Sequence, residues 1–204
     1  MITIINYGLG NIKAIRNVYS KLSIPVRVVS DIKEFGEIEK LILPGVGAFD
    51  YAMRKLKSSG MYDRINELVL EKEIPVIGIC VGMQMMAKTS DEGVLPGLGW
   101  IDATVKKFDT TKMNGKLQLP HMGWNDVDSN TENPLFEGLH HGARFYFLHS
   151  YYIDCNDDKQ TIATSNYPDN FTCAFNFRNI YGVQFHPEKS HHFGVKLLEN
   201  FARL

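Results

Sequence analysis

Ile74-Pro75-Val76-Ile77-Gly78-Ile79-Cys80-Val81-Gly82-Met83-Gln84-Met85-Met86-Ala87-Lys88 is the stretch that decides how this chain is read. Residues 74–77 form a short apolar run, the pattern of a buried strand, and residues 83–88 have helical character. Cys80 stands at the junction, with glycines two before and two after it. A strand-to-helix turn this tight leaves room only for glycine around an exposed nucleophile. The unpaired N–H groups and dipole at the start of a helix favour a thiolate, the reactive form of cysteine. Cys80 is therefore a candidate nucleophile. A buried cysteine before a glycine-punctuated helix would look the same locally, so the choice rests on residues elsewhere.

Working outward, the first half alternates strand and helix patterns. Ile2–Ile5, Pro25–Val29 and Lys40–Leu43 read as strands. Ile12, Ile15, Val18, Tyr19 and Leu22 recur at helical spacing after Asn11, a candidate cap. Met53 and Leu56, then Met61, Ile65, Leu68 and Val69 beyond Gly60, mark helix again. This alternation predicts an α/β fold with a parallel, doubly wound sheet, whose sites lie at the carboxyl ends of strands. Cys80 and the loop Pro44-Gly45-Val46-Gly47 both fall at such ends. Gly8 and Gly10 also follow a strand, but Lys13 stands where a dinucleotide fingerprint needs its third glycine.

From about residue 100 the texture changes. Thr104–Phe108, Arg144–His149, Thr161–Thr164, Cys173–Phe177 and Ile180–Gln184 read as strands with hairpin-like spacing, mostly antiparallel, before a closing helix from Phe193 to Phe201. No linker or repeat interrupts residues 1–204, which predicts one domain. A net charge of -1 supplies no field to recruit nucleic acid or a membrane surface, and no apolar run approaches membrane-spanning length. Met1–Asn6 reads as a core strand rather than a signal peptide, and three widely spaced cysteines fit a reducing cytoplasm better than a disulfide or metal framework.

A thiol nucleophile needs a base, and the base needs an orienting acceptor. Gln184-Phe185-His186-Pro187-Glu188-Lys189 follows a predicted strand end. Residues two apart on an extended backbone share a side, and Pro187 holds His186 extended, so the Glu188 carboxylate falls beside the imidazole. Cys80, His186 and Glu188 form the predicted triad. The N–H of Val81, next after the nucleophile, and the glycine-lined loop around Gly47 are the predicted oxyanion donors.

In this order, the elbow Gly78–Gln84 and His186-Pro187-Glu188 resemble the two signatures of the class I (triad) glutamine amidotransferases. Asn6–Asn11, Leu43–Phe49, Pro120–Asn125, Tyr146–Tyr151 and His186–Ser190 narrow the likeness to the glutaminase subunits of imidazole glycerol phosphate synthases. Two positions depart from the usual pattern: Val81 where most members carry Leu, and Asn6 where Asp is usual. The resemblance implies the class I amidotransferase fold, a central mostly parallel sheet flanked by helices with additional antiparallel strands. It implies hydrolysis of L-glutamine through a Cys80 thioester, without a metal or other cofactor. It puts Gln84 and Glu92 at the α-amino and amide groups of glutamine, and Ser150 and Tyr151 at its α-carboxylate.

A chain of this size has no second site to accept the ammonia, so a partner is expected. In the resembling family it is a (β/α)₈-barrel cyclase, bound as a heterodimer. The loop carrying His121, Trp124 and Asn125, with Lys189, is the expected docking surface. Two pathways remain open: histidine biosynthesis, or a bacterial surface-polysaccharide paralogue that supplies ammonia for acetamidino sugars. A cysteine peptidase with a similar elbow would carry its histidine close after Cys80 rather than 106 residues on, and would lack His-Pro-Glu.

Overall fold

The computed structural model describes residues 1–113, 118–139 and 142–204. Its strands are β1 (Ile2–Ile5), β2 (Val26–Val29), β3 (Lys40–Gly45), β4 (Val76–Cys80), β5 (Thr89–Ser90), β6 (Ala103–Lys107), β7 (His121–Asp126), β8 (Asp128–Ser129), β9 (Arg144–His149), β10 (Tyr151–Cys155), β11 (Thr161–Asn166), β12 (Asn170–Phe177) and β13 (Ile180–Val183). The helices are α1 (Ile12–Lys21), α2 (Phe49–Ser58), α3 (Tyr62–Asn66, continuing through a π turn over Glu67–Glu71), α4 (Val81–Gln84) and α5 (His191–Arg203).

The main sheet runs β2-β1-β3-β4-β13-β12-β10-β6-β5, with β11 beside β12 and β8 beside β11. The neighbours β2, β1, β3, β4 and β13 are parallel. β1 and β4 are buried at every position, which is why they read as unbroken apolar runs rather than alternating ones. Helix α1 buries Ile15 and Tyr19, and the Tyr19 hydroxyl donates to the Leu198 carbonyl of α5 at 3.1 Å.

The sequence grouped Ile180–Gln184 with the antiparallel half. It belongs to both halves: β13 pairs antiparallel with β12 on one side and parallel with β4 on the other. The returning chain thus enters the middle of the parallel sheet, and its carboxyl end lands beside that of β4. This placement, set by pairing over about a hundred residues of separation, puts the His186 segment next to Cys80.

A second, two-stranded sheet pairs β7 with β9 antiparallel, from His121↔His149 to Asp126↔Arg144. The expected docking loop at residues 121–125 is therefore a strand. Period-two alternation turns Met122 and Trp124 outward beside Leu148 and Tyr146, while His121 faces inward. Among the described residues, no helix is long and apolar enough to cross a membrane.

Candidate active site

Cys80 ends β4 with φ 56° and ψ -116°, a combination that L residues rarely adopt and that costs about 1–3 kcal/mol. Close packing on all sides enforces it. A Cβ on Gly78 would lie 2.7 Å from the Met83 backbone, and one on Gly82 would lie 1.9 Å from the Leu43 carbonyl oxygen. A Cβ on Gly45 would in turn lie 2.4 Å from the Gly82 nitrogen. The elbow and the end of β3 touch backbone to backbone. That contact holds the Pro44–Gly47 loop beside the nucleophile, and the Tyr7 hydroxyl fixes it further by donating to the Pro44 carbonyl at 2.8 Å.

His186 follows β13 and is pinned from β9. Its N–H donates to the Tyr146 carbonyl at 2.8 Å. The Ser190 hydroxyl donates to the His186 carbonyl at 2.6 Å and accepts from the Tyr146 N–H at 3.0 Å. The His186 Nδ1 lies 2.8 Å from Glu188 Oε1, with both side chains buried, and the same oxygen accepts from Asn11 Nδ2 at 2.7 Å. Asn11 was expected to cap α1, but it makes no side-chain cap; its amide serves the Glu188 carboxylate instead. Burial opposes charge on His186, yet hydrogen bonds and attraction from Cys80 and Glu188 outweigh it and push the imidazole up to about 10. Burial likewise works to raise Glu188, but its bond to His186 prevails and holds the carboxyl below the usual range. These contacts favour the imidazolium form of His186, held between the Cys80 sulfur and the Glu188 carboxylate.

A cavity of about 250 Å³ opens on Cys80 and His186, the size for a small amino acid. Gly47, Val81, Gln84, Glu92, Ser150 and Tyr151 all line it, so every expected oxyanion and substrate residue shares the cavity with Cys80. Gln84 Nε2 donates to the Tyr151 carbonyl at 3.1 Å and to Gln184 Oε1 at 3.0 Å. Both of its protons are committed, which leaves Oε1 as its free group, an acceptor suited to an ammonium. Glu92 accepts the Phe49 N–H at 2.9 Å, at the start of α2. Its loop is tied down by Asp50, whose carboxylate accepts the N–H groups of Val94 and Leu95 at 3.1 Å. A larger groove of about 610 Å³ beside α1, lined by Asn6, Lys13 and Arg16 among others, reaches neither Cys80 nor His186.

The expected partner residues divide. Trp124 is 38% exposed, with Met122 and Leu148 beside it at 65% and 37%. Lys189 is exposed and sits over the Tyr146 ring at 5.4 Å. Asn125 is half-buried and donates to the Asn166 carbonyl at 2.9 Å. His121 is not on this surface. Its ring is buried, stacked on Tyr167 at 4.0 Å, and its Nδ1 lies 2.9 Å from His149 Nε2. Alternation along β7 sends it inward, a consequence of strand rather than loop geometry.

The His121–His149 pair has a consequence for acid stability. Burial pushes His121 down to about 4; burial first, then His121, pushes His149 down to about 3. Both lie below the ordinary 6.5, so the unfolded chain binds the extra protons. The stability these histidines contribute is complete above about pH 6.5 and drains away as the pH falls toward 4, on the order of 3 kcal/mol each. Urea midpoints measured from pH 7 to pH 4 should fall less steeply for His121→Gln than for the unmutated chain. Parallel curves would contradict this.

Three site residues escaped the sequence reading: Asn11 at the Glu188 carboxylate, His149 behind Tyr151, and Gln184, whose Nε2 lies 3.8 Å from the Cys80 sulfur. A signal existed for Gln184, which precedes His186 by two on an extended backbone and so shares its side.

The profile of the family described as glutamine amidotransferase class-I matches residues 3–204. Subunits named imidazole glycerol phosphate synthase subunit HisH are similar over the whole length. Those of Bdellovibrio bacteriovorus and Leptospira interrogans are 52% and 51% identical over 204 residues, covering 100% of both chains. One from Methanococcus maripaludis is 46% identical, covering 100% of this chain and 99% of its own. A crystal structure titled glutamine amidotransferase superposes with a TM-score of 0.74 at 17% identity, over 100% of this chain and 99% of the other. PurLQS from Thermotoga maritima superposes with 0.70 at 16% identity, over 99% and 97%. These superpositions carry the fold, and the family match with the full-length relatives carries the membership: the chain belongs to the class-I glutamine amidotransferases.

Proposed function

We propose that this chain is the glutaminase subunit of an imidazole glycerol phosphate synthase, folded as one domain over residues 1–204 and working in the cytoplasm. The observation that carries the proposal is the buried Cys80–His186–Glu188 array opening on an amino-acid-sized cavity. The names of the full-length relatives favour histidine biosynthesis over the surface-sugar pathway.

Glutamine enters with its α-amino group toward the free Gln84 oxygen and Glu92, and its α-carboxylate at the Ser150–Tyr151 bend. The Cys80 thiolate attacks the side-chain amide carbon. The N–H groups of Val81 and Gly47 hold the resulting oxyanion; such donors contribute most where water is excluded. The intermediate collapses as imidazolium His186 gives its proton to the leaving nitrogen, releasing ammonia and a γ-glutamyl thioester. Neutral His186 then takes a proton from water, the hydroxide cleaves the thioester, and glutamate leaves with the thiolate restored. Glu188 holds Nδ1, so Nε2 faces the reacting atoms throughout.

The ammonia goes to a (β/α)₈-barrel cyclase docked as a heterodimer on Met122, Trp124, Tyr146, Leu148 and Lys189. Leu148 belongs to both this surface and the cavity wall, and its carbonyl oxygen is 3.9 Å from the Cys80 sulfur. The docked face thus lies one residue from the ammonia source. Co-purified with that barrel, the chain should support imidazole glycerol phosphate formation from glutamine, with only slow glutamine hydrolysis alone. Trp124→Ala should weaken the complex by about 2 kcal/mol or more in a titration of the two subunits. Glutamine-dependent amidation of a sugar in place of imidazole glycerol phosphate formation would favour the other pathway; no stimulation by the barrel would sink the reading.

A further inference from the structure

We infer that Gln184 is a catalytic residue: its side-chain amide donates a hydrogen bond to the Cys80 sulfur and favours the thiolate, in an orientation dictated by the bend that receives the substrate carboxylate. The inference rests on the glutaminase reading and adds a residue to its machinery.

One group in this network has a polarity beyond choice. The Tyr151 carbonyl can only accept. Gln84 Nε2 lies 3.1 Å from it and must be the donor end of that amide. The same nitrogen lies 3.0 Å from the Gln184 side chain, so the facing Gln184 atom must be oxygen. That turns Gln184 Nε2 toward Cys80, 3.8 Å from the sulfur. Oxygen and nitrogen of an amide are interchangeable by shape alone, but here a backbone carbonyl decides both amides in series. A second chain of bonds meets the same carbonyl. His149 Nδ1, 2.8 Å away, must donate to it; His149 Nε2 therefore accepts, and His121 Nδ1 donates at 2.9 Å.

Gln184 is fully buried and Gln84 nearly so. A buried amide N–H aimed at sulfur stabilises the charged form over the neutral one. The relay runs from Tyr151 through Gln84 and Gln184 to Cys80, so the bend that holds glutamine also sets the donor on its nucleophile. The titratable groups around Cys80 are Tyr7 and His186, with Glu92, His149 and Tyr151 also lining the cavity. Gln184→Met adds no charge beside any of them.

The test is the pH dependence of Cys80 alkylation by iodoacetamide, which needs no glutamine. Gln184→Met keeps length and removes the donor. Its alkylation profile should move alkaline by about one pH unit, with kcat for glutamine down about tenfold. Gln184→Glu, which sets a carboxylate against the sulfur, should move it further. Profiles that superimpose on that of the unmutated chain overturn the proposal, because a spacer role would change stability alone. If neither variant folds, ¹⁵N spectra of the unmutated protein decide. The Gln184 side-chain amide should titrate together with Cys80 alkylation and stop titrating in Cys80→Ser; an amide indifferent to Cys80 overturns the assignment. A shifted profile in a chain that never hydrolyses glutamine with its barrel would instead sink the glutaminase reading.

Discussion

Cys80→Ala lowers barrel-stimulated glutamine hydrolysis by about 10⁵-fold or more, the scale on which removal of a triad nucleophile acts. No other thiol replaces it. Cys155 and Cys173 are buried away from the cavity; burial pushes Cys155 up to about 12 and Cys173 well above the ordinary thiol range. What remains in the variant is the proposed binding residues and oxyanion donors, without a group to attack glutamine. The backbone at position 80 keeps its positive φ with alanine, so the fold and the docking surface persist and the complex still assembles. Rate should therefore collapse while subunit affinity stays within a factor of a few. A stopped glutaminase assay and a binding titration on one preparation read both quantities. Retained hydrolysis would refute the covalent mechanism.

Gly82→Ala destabilises the chain by about 3–5 kcal/mol, a large share of the 5–15 kcal/mol a domain of this kind holds. The added methyl would sit 1.9 Å from the Leu43 carbonyl oxygen and 3.1 Å from the Pro44 carbonyl carbon. Both are backbone atoms of a central strand end, paired to β4 on one side, and neither can swing aside as a side chain would. Relief requires parting the elbow from the Pro44–Gly47 loop, which also moves the two proposed oxyanion donors apart. Gly47→Ala is the contrast. It has φ 89° but nothing within 4 Å of its added methyl, so only backbone strain of about 1 kcal/mol is expected. Urea midpoints should rank the unmutated chain, Gly47→Ala and Gly82→Ala in falling order. A Gly82→Ala chain within about 1 kcal/mol of the original would mean that the elbow does not need this contact.

How much of this was legible before the structure depended on the distance over which each feature is decided. The parallel half was, because strands buried on both faces write themselves as apolar runs: residues 2–5 match β1, and 40–43 lie within β3. The proposed triad could be picked out because a glycine-flanked elbow and a His-Pro-Glu turn are local. The β7–β9 pair was half visible. Arg144–His149 alternates and matches β9, but His121–Asp126 carries Gly123 at φ 125° inside it and looks like a loop until its partner is known. Tyr151–Cys155 was missed because Ser150 makes only a bend between β9 and β10, where a hairpin signal would need a turn. Asn11 reads as a cap from its neighbours alone. Only the return of β13 beside β4 brings it a carboxylate from 177 positions away.

The most direct test of the central claim is labelling by a diazo-ketone analogue of glutamine in the presence of the barrel. The account predicts one adduct per chain, on the peptide carrying Cys80, formed in step with loss of glutaminase activity and slowed by glutamine. An adduct on Cys155 or Cys173, or full activity after saturating exposure, would contradict it.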